Sequence, residues 1–83
     1  MDKKIKEKKI KFDFSLLEGK IKQYYDTQEN FAKQVPMSRS ALNNKLNNKT
    51  DFTPRNIRRF VELLHISDEE IGTVFFKEKG LEN

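Results

Sequence analysis

Apolar residues recur at helical spacing in five windows of this chain, and each window opens on a residue able to cap a helix. Phe14, Leu17, Ile21 and Tyr24 share one face of a first helix, predicted over about residues 14–25. Two starts compete for it. Asp13 as N-cap sets Phe12 against Leu17 as a hydrophobic staple, whereas Ser15 as N-cap makes a capping box with Glu18. A second helix is predicted over 27–35, capped by Thr27 and burying Phe31, Ala32 and Val35. A third, over 38–47, has Ser38 as its cap and a stripe of Ala41, Leu42 and Leu46. The fourth begins with Thr53 as cap and Pro54 in the first helical position, with Phe52 placed to staple onto Ile57. Its inward face is Ile57, Phe60, Val61 and Leu64. The fifth repeats the device with Ser67, Glu70, Ile66 and Ile71, and Asp68, Glu69 and Glu70 suit the positive end of its dipole.

The ends of the pattern are less regular. Ile10, Phe12 and Phe14 alternate and permit a short strand. Val74, Phe75 and Phe76 form an apolar run that can complete the core, pair with residues 10–14, or dimerise. Gly19 interrupts the first helix at about 1 kcal/mol relative to alanine, and its expected use is close helix contact. The expectation is an all-α fold of five helices with short strands at the termini. It divides into a flexible basic arm (1–11), a domain (12–76) and a tail (77–83).

Composition narrows what such a domain can do. Eighty-three residues, 35% of them hydrophobic, make one small core. There is no cysteine, so no disulfide or thiol chemistry is available. No apolar run approaches the ~20 residues of a membrane span, and the N-terminus lacks a signal-peptide core. The expected location is the cytoplasm, with no membrane partner. The net charge of +4 is segregated. Residues 1–12 carry six lysines against two acids, and residues 30–60 carry seven basic residues against Asp51 alone. Residues 13–29 and 61–83 are net acidic. Positive charge gathered in one region suggests a polyanionic partner.

Catalytic chemistry finds little support. His65 is the single histidine, at the end of the fourth helix, where it suits the helix dipole or a surface contact better than base catalysis. One histidine and no cysteine leave no zinc set, and three isolated glycines make no phosphate loop. Asp68, Glu69 and Glu70 are adjacent rather than paired at helical spacing. The chain is expected not to be an enzyme and to need no cofactor, metal or small-molecule substrate.

The outer face of the third helix is different. Arg39, Ser40, Asn43, Asn44 and Asn47 lie opposite its apolar stripe, with no acid and no large apolar residue among them. Asparagine is a poor helix former, so helix stability does not explain three of them. Arginine pairs bidentately with guanine and asparagine with adenine in a major groove. A short helix and tight turn precede this face, which favours base contact over a solvated surface. Gln28 can donate to a backbone phosphate at the second helix's N-terminus. Lys33, Lys45 and Lys49 are further phosphate candidates. Asn48 suits a left-handed helix end. Arg55, Arg58 and Arg59 either reach phosphates or solvate the fourth helix.

The segment Thr27–Thr50 resembles the helix-turn-helix of Cro/CI-type phage repressors, within the xenobiotic-response-element-like regulators. The likeness rests on Thr27-Gln28-Glu29-Asn30-Phe31-Ala32, on Ser38 to Leu46, and on Leu46-Asn47-Asn48-Lys49-Thr50, and the flanking helices extend it over 12–76. It implies a lambda-repressor-like DNA-binding domain, encoded by a phage or prophage and working in a bacterial host. By that resemblance Arg39, Ser40 and Asn44 face bases, Gln28, Asn47 and Lys49 touch phosphates, and Ser38 caps the recognition helix near the backbone. Three positions depart from the family pattern: Pro36 stands where glycine is usual in the turn, Asn48 replaces the loop glycine, and Lys45 holds an often apolar position. The implied partner is a two-fold operator in double-stranded DNA, bound by a homodimer at least on DNA. The rival expectation is a protein-interaction module on the same scaffold, an anti-repressor or antitoxin subunit. Non-specific single-strand binding ranks lower, because Tyr24 and Tyr25 lie away from the basic region.

Overall fold

The computed structural model describes residues 10–81. In chain order it contains β1 (Ile10–Phe12), α1 (Ser15–Tyr25), α2 (Gln28–Gln34), α3 (Arg39–Leu46), α4 (Pro54–Leu64), α5 (Asp68–Phe75) and β2 (Glu78–Leu81). Any ordering of the lysine arm over residues 1–9 falls outside the described residues.

Four of the five helices start where their caps predict. The Thr27 hydroxyl accepts from the Asn30 amide at 3.1 Å, and that of Ser38 from Ala41 at 3.0 Å. Thr53 and Asn56 cap each other reciprocally at 3.1 Å, so that Asn56 completes a box beyond the cap expected at Thr53. The Glu70 carboxylate accepts from the Ser67 amide at 3.1 Å. That contact, with Lys20 nearby, holds the Glu70 carboxyl below its usual range. α1 follows neither predicted start. Phe14 takes the N-cap position, and Asp13, one residue earlier, accepts from both the amide and the hydroxyl of Ser15 at 2.9 and 2.6 Å. Ser15 thus satisfies Asp13 instead of boxing with Glu18.

One core joins all five helices. Leu17 and Ile21 from α1, Phe31 from α2, Leu42 from α3, Phe60 and Leu64 from α4, and Val74 and Phe75 from α5 are all but sealed from solvent. Phe60 sits centrally, edge-on to Phe31 at 4.8 Å and to Phe52 at 5.2 Å. Two expectations are corrected. Tyr24 is not a core residue: it is 45% exposed and leans on the His65 ring at 5.2 Å. Its neighbour Tyr25 is the half-buried one, packing on Phe31 and donating its hydroxyl to the Leu63 carbonyl at 3.0 Å. Gly19 makes no close helix contact, since a Cβ there would meet no atom within 4 Å.

The ends form a small antiparallel sheet. Ile10 pairs with Leu81, Lys11 with Gly80 and Phe12 with Glu78, with an irregularity between Lys11 and Phe12. Residues assigned from sequence to the arm (10 and 11) and to the tail (78–81) are therefore strands. The apolar run 74–76 does not pair with β1. Val74 and Phe75 finish the core, and Phe76 lies 51% exposed, edge-on to Phe12 at 6.0 Å. The mainly helical fold with short terminal strands matches expectation; the identity of β2 does not.

Candidate nucleic-acid interface

α3 buries Leu42 and Leu46 and turns Arg39, Ser40 and Asn43 to solvent, with Asn44 half-buried beside them. These four line one shallow concavity that contains no acid. Among the described residues, no side-chain hydrogen bond or ion pair engages Arg39, Ser40 or Asn44. Arg39 and Ser40 are thus exposed and unengaged, on a helix whose opposite side is anchored in the core.

Asn43 and Asn47 are less free. The Asn47 amide donates to the Asn43 backbone carbonyl at 2.8 Å and to its side-chain oxygen at 3.0 Å. Asn43 keeps its own amide N–H groups available, while its side-chain oxygen is partly used. Ser38 lends its oxygen to the cap, so that only its hydroxyl proton is left to donate outward.

The predicted phosphate contacts divide similarly. The side chains of Gln28 at the start of α2, Lys33 on its exposed side and Lys49 in the loop after α3 have no partner among the described residues. Lys45 has two: its ammonium donates to the Asp51 carbonyl at 2.9 Å and lies 5.9 Å from the centre of the Phe52 ring. This explains how a lysine occupies a position where an apolar residue is common. Its stem follows the helix flank while its head closes the loop that carries Phe52 into the core.

Two structural residues were missed from sequence. Asn48, at φ 64°, takes the left-handed helix end expected of it and also clamps β1. Its oxygen accepts from the Phe12 amide at 2.9 Å, and its amide donates to the Phe12 carbonyl at 3.0 Å. No periodicity links positions 36 residues apart; the available signal was an asparagine at a helix end facing an alternating segment. Arg59 does not reach toward a partner. It donates to the Gln34 and Val35 carbonyls at 2.9 and 3.1 Å, closing the end of α2, and lies 3.6 Å from Glu62. In the turn between α2 and α3 the Val35–Pro36 peptide is cis, and the Met37 amide returns to the Ala32 carbonyl at 2.9 Å.

Among the described residues no helix is long and apolar enough to cross a membrane, and no group of His, Cys, Asp or Glu could hold a metal ion. Against known proteins, the profile of one family, described as "Protein of unknown function (DUF739)", matches residues 10–78. The chain belongs to the DUF739 family. A DUF739 chain of this shape is similar to the modulator of repression (MOR) of the temperate bacteriophage TP901-1 from Lactococcus lactis, known from a solution structure. The two are 34% identical over 78% of this chain and 88% of that one, with a TM-score of 0.71. No curated protein sequence matches. At the family level these comparisons give DUF739 with a phage-regulator-like fold, and not specifically the Cro/CI type.

Proposed function

We propose that this protein is a phage regulatory protein that binds duplex DNA sequence-specifically, with α3 in the major groove. The observation that carries this is the row of unengaged tips at Arg39, Ser40 and Asn44 on a helix face without acids. Asn43 supports the row through its amide. This reading assigns Gln28, Lys33 and Lys49 to phosphates, together with the Ser38 hydroxyl at the start of α3. Asn47 and Lys45 serve the loop first; either would have to exchange an internal hydrogen bond to touch phosphate. A two-fold operator would be read by two copies with α3 helices about 34 Å apart. Such a regulator acts in the cytoplasm of the bacterial host and performs no catalysis.

A second reading is favoured by the name of the similar phage protein, a modulator of repression. On that reading the chain acts on a repressor protein rather than on an operator.

Selection from a random duplex library, followed by titration of the winner at several salt concentrations, separates the two. Arg39→Ala is expected to cost about 1–3 kcal/mol and relax one base position. Lys49→Ala is expected to weaken all duplexes alike and reduce the salt slope by about one unit. If both variants bind like the parent, the groove assignment is wrong. If no duplex is enriched, the repressor-directed reading takes its place.

A further inference from the structure

Between the N-terminal halves of α4 and α5 lies an open groove away from α3, floored by the half-buried aliphatic side chains of Ile57, Val61 and Ile71. One rim carries Arg55 and Arg58, both exposed; the other carries Asp68. Among the described residues, Arg55 and Arg58 have neither an ion pair nor a hydrogen bond, whereas their neighbour Arg59 is committed to two carbonyls. We propose that this groove docks an amphipathic helix of a partner protein, its apolar stripe on Ile57, Val61 and Ile71 and its acidic flank against Arg55 and Arg58.

The charge and the floor choose this occupant together. Arg55 lies in the first turn of α4, where the helix dipole adds positive potential and the turn itself carries no acid. The planar, weakly hydrated guanidinium is suited to carboxylates at an interface. A DNA backbone would leave the aliphatic floor unused and would meet Asp68 across the groove. A second copy of this chain is disfavoured by size. Two turns of α4 and one of α5 match the reach of a short helix laid in a groove, whereas a stable dimer needs ~800 Å² per partner. The inference does not depend on α3 binding DNA.

Two synthetic helical peptides of about fourteen residues test it, with the same leucine stripe at i, i+3, i+4 and i+7. One carries glutamates along the single flank that meets Arg55 and Arg58, and the other carries lysines there. Titrated into the full chain, the glutamate peptide is expected to shift the amide signals of Ile57, Val61 and Ile71 and to bind at least ten-fold more tightly than the lysine peptide. The double variant Arg55→Glu/Arg58→Glu is expected to reverse that preference, a result that an unfolded variant cannot produce. Equal affinity for the two peptides, or shifts confined to α3 or Phe76, would overturn the proposal. Loss of duplex affinity in the double variant without peptide binding would assign the arginines to phosphates. A dimer of the free chain abolished by the double variant would assign the groove to a second copy.

Discussion

The first two turns of α3 and the segment that follows them carry the same kinds of side chain, yet they spend them differently. The side chains of Arg39 and Ser40, both exposed, and of Asn44, half-buried, have no internal partner among the described residues. Lys45, Asn47 and Asn48, a few residues on, hold the Asp51 carbonyl, Asn43 and the Phe12 backbone respectively. The difference lies in what the chain brings within reach. α3 starts on the open side of the core, whereas its end faces the loop to Phe52 and the strand β1. An amide beside unpaired backbone groups satisfies them; an amide beside water stays available for a ligand.

Phe60 underlies both regions through its edge contacts with Phe31 and Phe52, so its truncation should remove the contrast altogether. Phe60→Ala is expected to cost about 3–5 kcal/mol, read as an earlier midpoint in urea. For so small a domain that is a large share of total stability. Next in size is Asn48→Ala, which loses both hydrogen bonds to Phe12 and puts alanine at φ 64°. The expected loss is about 2 kcal/mol, with faster hydrogen exchange of the Phe12 amide. Asn48→Gly relieves the backbone and leaves only the clamp's share, so a glycine variant as stable as the parent would mean that the clamp contributes nothing.

Arg39→Ala should leave folding stability within about 0.5 kcal/mol of the parent while weakening duplex binding. A clear loss of stability would place the Arg39 tip in a structural role and blur the distinction between the two ends of α3. The smallest effect concerns acid. The Ser15 side chain and backbone lower the Asp13 pKa from 3.8, and Lys77 and Lys79 add to this while partial desolvation opposes it. A depressed folded value means that ionised Asp13 supports the fold above the unfolded value, and that this support is lost as pH falls through the folded value. Asp13→Asn should therefore flatten the dependence of stability on pH below about 4, without abolishing it, because Glu70 is lowered in the same sense. An unchanged slope would remove Asp13 from the anchoring of the chain ends.

Helix order, four of the five starts and nearly all core positions were legible from spacing and capping residues alone. Those features are local: a hydroxyl reaches three residues ahead, and an apolar stripe repeats every 3.6. The outer face of α3 was legible for the same reason, since it is the complement of Leu42 and Leu46 on one helix. One miss was local: Asp13 and Ser15 competed as the cap of α1, and Phe14 between them takes that position. The others were non-local. Lys45, Arg59 and Asn48 looked like free cations and a helix end; their partners lie 6, 24 and 36 residues away.

By itself the sequence determined five helices, their buried stripes and a basic face with amides. Each follows from a period or from a bond that closes within one turn. The tertiary structure decided which polar tips remain for a ligand and which are consumed in holding the chain to itself, because that depends on which backbone groups the fold leaves unpaired nearby. It also decided that β2 comes from Glu78–Leu81, not from the apolar run before it. The core drew Val74 and Phe75 inward, and only the polar segment beyond them was left to meet β1.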